Sequence, residues 1–267
     1  MLIRIDRGFE ANRPADLTTG RRFYVRLARS WSEVEAAQRL RWRVFADEMG
    51  ARIDSGRPGI DWDMFDDHCD HLLAFEGDEG RVIGTYRILT PEGSARLGAC
   101  YAEREFDLAP LSVVRPRAAE IGRSCVDPAW RGSAVLALMW SALIEYARER
   151  GLSYLMGCAS VSMADGGVYA ANLYDALRPN MVEPALRVQP RMGLDVHRLA
   201  NGEAARAPTL IRGYLRVGAK ICGLPAVDAD FNTADFLMLL DIDSISSRFA
   251  RRFEAGTRAS LGEALAA

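Results

Sequence analysis

Glu120-Ile-Gly-Arg123-Ser-Cys-Val126-Asp-Pro-Ala-Trp-Arg131-Gly132-Ser133-Ala134-Val135 decides how this 267-residue chain is read. The stretch opens as a strand, apolar and β-branched residues carrying one glutamate and one arginine, and Asp127-Pro128 breaks it. Arg131-Gly132-Ser133-Ala134 then leads into a helix predicted from about Ser133 to Arg150. Val135, Leu136, Leu138, Met139, Trp140, Leu143, Ile144 and Ala147 form a wide apolar stripe along that helix. The first N–H groups of a helix lack intrahelical partners, and the helix dipole favours negative charge there. A strand with ionisable groups that runs into such a turn is suited to chemistry on a phosphate-tailed carrier.

Working outward, Phe23–Leu27 reads as a strand. Ser30 with Glu33, or Ser32 with Glu35, offers a capping box for a helix running through Glu48. An acidic loop spans 50–70, and His71–Phe75 with Val82–Leu89 reads as an antiparallel hairpin around Gly77-Asp-Glu-Gly80. Residues 90–117 hold turns and one short helical piece. Beyond Gly151 come a strand at Tyr154–Ser160, a helix at Tyr169–Leu177, a helix at 209–221 and a strand at Phe236–Ile242. This order predicts an α/β fold with a mixed, mostly antiparallel central sheet flanked by helices. The expected organisation is a leader over 1–21, a core over 22–200 and a C-terminal extension over 201–267.

Just under half the residues are hydrophobic and a quarter charged, as in globular proteins. A net charge of −2 gives no argument for nucleic-acid binding. The basic residues are arginines apart from Lys220, and arginine suits forked contacts to phosphate and carboxylate. Five scattered cysteines without metal-ligand spacing predict buried thiols in a reducing, cytoplasmic setting and no metal site. No run approaches the ~20 apolar residues of a membrane span, which leaves peripheral contact with the inner membrane open.

The segment Val126-x4-Arg131-Gly132-x-Ala134 resembles the acyl-carrier-binding turn of the GNAT acyltransferase superfamily. Upstream stand Arg41-x-x-x-Phe45, Asp63-x-x-Asp66, the strand arginine Arg87 and Glu120-x-x-Arg123. This ordered set resembles the acyl-homoserine lactone synthase branch of those proteins. Two departures matter: the tryptophan usual after Arg-x-x-x-Phe is replaced by Gly50-Ala51-Arg52, and the chain is longer at its C-terminus. The long form is similar to the bacterial ornithine N-acyltransferases of ornithine lipid synthesis, over roughly residues 22–245.

That resemblance implies transfer of a 3-hydroxylated fatty acyl chain from acyl carrier protein to the α-amine of ornithine, giving lyso-ornithine lipid, with no bound cofactor. Val126, Arg131, Gly132, Ser133 and Ala134 would hold the 4′-phosphopantetheine phosphate of the carrier. Glu120, Arg123, Asp66 and His71 are the implied catalytic set, with Glu120 as base if burial raises its pKa. Gly122 would allow a bulge that aims Glu120 and Arg123 the same way. Arg41, Phe45, Asp63 and Arg87, with Asp228 and Asp230, are the implied substrate contacts. Plainer alternatives stand beside these roles. Glu120 and Arg123 are also readable as a structural ion pair, and Asp63, Asp66 and Asp67 as carboxylates that fix Arg41 or Arg87. His71 is read at a cleft mouth, and Asp228, Asp230, Asn232 and Asp235 as a solvated turn. An arginine-rich face formed by Arg131, Arg148, Arg150, Arg248, Arg251 and Arg252 would suit an acidic carrier protein. Acyl-homoserine lactone synthesis and a non-catalytic acyl-binding role are the competing readings.

Overall fold

The structure, a computed structural model, describes Glu10–Ala11 and residues 22–77, 80–131 and 134–245. The remainder of the 1–21 leader, Gly132, Ser133, Arg248, Arg251 and Arg252 lie outside the described residues. The described chain divides into two compact units, one within Met1–Ile88 and Arg123–Arg150, the other within Leu89–Gly122 and Gly151–Ser246.

In the first unit β1 (Phe23–Leu27), β2 (Asp70–Glu76) and β3 (Arg81–Leu89) form an antiparallel meander. Helix α1 (Trp31–Trp42) begins at Ser30, whose hydroxyl accepts the Glu33 N–H at 3.4 Å. Glu33 does not return the bond to Ser30. Its carboxylate takes a two-pronged contact from Arg26, both at 2.8 Å, and the Arg29 N–H at 2.6 Å. The helix continues to Glu48 as expected, but Arg43–Glu48 widens into a π-helical turn. Val34, Ala37, Leu40 and Val44 bury against Leu73, Phe75 and Val82 of the hairpin. The chain re-enters this unit through the second half of β4 (Ala118–Val126) and passes into α3 (Val135–Glu149), with α2 (Pro91–Leu97) lying between in sequence. Trp140 of α3 donates to the Tyr86 hydroxyl at 3.1 Å, and Tyr146 donates to Asp70 at 2.6 Å.

The second unit holds a mixed sheet. The first half of β4 runs parallel to β5 (Tyr154–Ser162), pairing Ala118 with Tyr154 through Glu120 with Met156. Gly157 marks where that ladder ends: a Cβ there would sit 2.1 Å from the Ile121 carbonyl oxygen, so only glycine lets the two backbones meet. Following α4 (Val168–Leu177), α5 (Thr209–Val217) and β6 (Ala226–Asp228), strand β7 (Thr233–Asp241) pairs antiparallel with β5 over nine positions. Helix α5 is shorter than its sequence suggests. Gly218, at φ 101°, closes it, and Lys220–Ile221 pairs with β7 instead. Ile211, Tyr214 and Val217 bury one face of α5, which makes it a core helix. The Asp228–Asp235 segment is no simple solvated turn, because Asp235 lies in β7 and is 4% exposed.

Candidate active site

The first unit gathers most of the motif residues into one closed ring of ion pairs. Arg41 is fully buried near the end of α1 and grips Asp66 with two nitrogens, at 2.8 and 2.9 Å. Its Nε lies 2.8 Å from the Asp61 carboxylate, and the Asp61 carbonyl accepts a further hydrogen bond. Arg87 on β3 reaches Asp63 at 2.6 Å and Asp66 at 3.4 Å. Arg123 on β4 reaches Asp61 at 3.2 Å and Asp63 at 3.3 Å. Each arginine therefore bridges two aspartates and each aspartate two arginines, so the formal charges cancel. Burial alone would push the Asp66 carboxyl up, but the Arg41 and Arg87 guanidiniums hold it far below the usual carboxylate range. Asp67 is exposed outside the ring.

Two expected details differ. The backbone irregularity in β4 falls on Arg123 itself, at φ 49°, and not on Gly122. A side chain in the left-handed region costs roughly 1–2 kcal/mol, which the two aspartates of the ring can offset. His71 is not at a cleft mouth. It is 4% exposed, its Nε2 lies 3.1 Å from the Asp66 carbonyl, and burial lowers its pKa, so it is neutral.

At the start of α3, Ala134 is the capping position and supplies no side-chain cap. Arg131 is exposed, donates to the Val126 carbonyl at 3.2 Å and is paired with Glu48 through both terminal nitrogens. Phe45 is partly buried against the α1 cluster.

In the second unit Glu120 is 6% exposed, and its two carboxylate oxygens accept the Tyr101 and Ala102 N–H groups, each at 2.7 Å. Bonds to backbone donors stabilise the charged form and fix its orientation. Glu120 lines an open cavity of about 300 Å3 together with Ser94, Cys100, Arg115, Ala118 and Met156. Glu105 and Asp235 form a coupled acid pair on the same unit. Burial, with the neighbouring charges of Asp235 and Asp228, raises Glu105 to about 8; burial raises Asp235 to about 6. They share a proton in the neutral range. One ligand atom each from Glu105, Cys158 and Asp235 lies within 4.8 Å of the others, a spacing that a small cation could occupy. Asp228 is partly buried and accepts the Asp230 and Phe231 N–H groups, while Asp230 is exposed.

Sequence reasoning passed over Asp61, Glu105, Cys158 and Arg115. Asp61 stands two residues before Asp63 and fits no motif slot, although its alternation with Asp63 was a signal. Cys158 comes beside Asp235 through the long-range pairing of β5 and β7, and Glu105 and Arg115 belong to no motif.

Comparison with known proteins identifies the class. Residues 40–141 match the family described as acetyltransferase (GNAT) domain. The acyl-homoserine lactone synthase LasI superposes with a TM-score of 0.51 over 86% of this chain and 95% of its own, at 15% identity, a likeness of fold. The class is thus a GNAT-fold acyltransferase. The L-ornithine N(alpha)-acyltransferase of Rhodobacter capsulatus is 34% identical over 249 residues, covering 87% of this chain and 96% of that protein. The protein of the same name from Rhizobium meliloti is 36% identical over 249 residues, covering 86% and 84%. The chain belongs to the L-ornithine N(alpha)-acyltransferase family. No helix among the described residues is long and apolar enough to cross a membrane.

Proposed function

We propose that the chain moves a 3-hydroxylated fatty acyl chain from the phosphopantetheine thioester of acyl carrier protein to the α-amine of L-ornithine, giving lyso-ornithine lipid. The observation that carries the reading is Glu120, a buried carboxylate held in place by two backbone donors on the wall of a cavity of small-molecule size. The relatives at 34–36% identity favour ornithine over S-adenosylmethionine as acceptor.

An α-amine with a pKa near ~8 gives up its proton more readily than a side-chain amine near ~10.4, which favours acylation at the α position. Glu120, directly or through a water, takes that proton. The neutral nitrogen attacks the thioester carbonyl carbon. The C–N bond forms, the C–S bond breaks, and the departing thiolate of the carrier takes up a proton while the nitrogen loses its second one. The Asp61/Asp63/Asp66 ring holds Arg41, Arg87 and Arg123 in fixed positions and is assigned an architectural role. Arg131, Val126, Gly132, Ser133 and Ala134 are assigned to the donor's phosphate, since the positive end of a helix dipole favours an anion. Such a donor arm belongs to an acidic carrier, which Arg131 would also attract.

The test is release of free thiol from 3-hydroxyacyl carrier protein by the purified full chain with a panel of amino acids. Release that depends on L-ornithine and yields the N-α-acyl product supports the reading. Release independent of ornithine, or acylation of a different acceptor in preference, overturns it.

A further inference from the structure

The cavity beside Glu120 carries a second charge that the reaction scheme does not use. Arg115 lies on its wall, and apart from Arg115 and Glu120 the lining is small or apolar: Leu89, Pro91, Ala95, Ala118 and Met156, with Ser94 and Cys100. The two charged groups flank one short piece of chain. Arg115 contacts the Cys100 sulfur at 3.4 Å, while Glu120 accepts the N–H groups of the next two residues, Tyr101 and Ala102. Arg115 is steadied from its other side by Glu103 at 2.7 Å. These contacts engage two of its five N–H donors, and a guanidinium binds a carboxylate through a pair of them. At about 300 Å3 the cavity stands at the small end of ligand sites.

A positive and a negative group facing one small cavity match a ligand that carries both charged groups on one carbon. A free α-amino acid is such a ligand. We propose that Arg115 takes the α-carboxylate of the acceptor amino acid in this cavity, with the α-ammonium set against Glu120. The inference rests on the amine-acylating reading above and adds to it the residue that makes an amino acid, and not a simple amine, the acceptor. The carboxylate contact turns the α-nitrogen, which lies next to it, toward Glu120, and it leaves the acceptor's side chain unselected by this pair.

The experiment uses the full chain with 3-hydroxyacyl carrier protein as donor. L-Ornithine, its carboxamide, 1,4-diaminobutane and a panel of other L-amino acids serve as acceptors. For the amino acid that the wild type uses, R115Q is expected to raise KM roughly 10- to 100-fold, as for loss of hydrogen bonds to a charged group. KM for the donor is expected to stay within about twofold, since only acceptor binding is changed. The preference for the acid over its carboxamide should collapse, R115K should fall between R115Q and wild type, and R117Q, which alters an exposed neighbour, should behave as wild type. If R115Q does not fold, the R115K series carries the comparison. Equilibrium dialysis of the same L-amino acids against wild type and R115Q gives a readout that needs no turnover.

Wild type that uses another α-amino acid in place of ornithine would sink the ornithine reading alone, and R115Q measured on that amino acid would still decide the role of Arg115. A folded R115Q with unchanged KM and unchanged preference for the acid overturns the proposal. So does wild type that acylates the carboxamide or the diamine as well as the acid, or that neither binds nor acylates any α-amino acid.

Discussion

Asp66→Asn tests the ring of ion pairs directly. The substitution keeps the shape and removes one negative charge from a group of three aspartates and three arginines. Of its two ring partners Arg41 would then keep Asp61, and Arg87 would keep Asp63. Both Arg41 and the Asp66 carboxylate are fully buried, so water cannot replace the missing charge. Breaking a buried pair by removing one partner costs about 3–5 kcal/mol. In a chain of this size each kcal/mol moves Tm by roughly 2–4 °C, so D66N should melt about 6–20 °C below wild type at pH 7. The sign of the pH dependence follows from the depressed Asp66 carboxyl. Its stabilisation is present above the ordinary value of 3.8 and is lost as pH falls through its lower folded value. The gap between wild type and D66N should therefore close in strong acid. The double variant R41M/D66L leaves Arg87, Arg123, Asp61 and Asp63 in balance and should recover at least half of the loss. Differential scanning calorimetry across pH measures all three. D66N melting within about 2 °C of wild type at pH 7, or a gap that persists in acid, would refute the closed ring.

E120Q is expected to lower kcat/KM by about 10²–10⁴-fold, the usual scale for losing a general base, and to flatten the acidic limb of the pH–rate profile; a wild-type rate and profile would remove Glu120 from the chemistry. Glu105 rises from 4.5 to about 8 in the folded protein, so its contribution is complete below pH ~4.5 and is lost as pH climbs to 8. Wild-type Tm should accordingly fall against that of E105Q between pH 5 and 9, and parallel melting curves would contradict the raised acid pair. R131A should raise KM for the acyl donor several-fold in a salt-dependent way while changing stability by less than ~1 kcal/mol, because its pair with Glu48 is exposed. Unchanged donor kinetics in R131A would move the phosphate site elsewhere.

Local chemistry explains why much of the fold could be read from the chain. Ser30, the two runs flanking the Gly77–Gly80 turn, Pro128 and the apolar stripe of α3 are signals that act within a few residues, and each produced the expected element. The failures share a different origin. Helix α5 stopped at Gly218 because a left-handed residue and pairing with β7 outweighed helical periodicity. His71 looked like a titrating group until the hairpin buried it among Asp66, Arg41 and Arg87.

The ring shows why motif order was more informative about architecture than about chemistry. Arg41, Asp63, Asp66, Arg87 and Arg123 come from four separate segments, and each of the three arginine segments is tied to the same 61–66 loop. A residue fixed by two opposite charges is poorly suited to move a proton, as the depressed Asp66 carboxyl illustrates. Glu120 differs from the ring aspartates in its setting: it accepts two backbone N–H groups and lines an open cavity. The motif residues thus divide by setting: those tied into the ring define the scaffold, and the one on a cavity wall is the candidate for proton transfer. D66N and E120Q separate the two groups, since the first should lower Tm far more than it lowers kcat and the second should do the reverse.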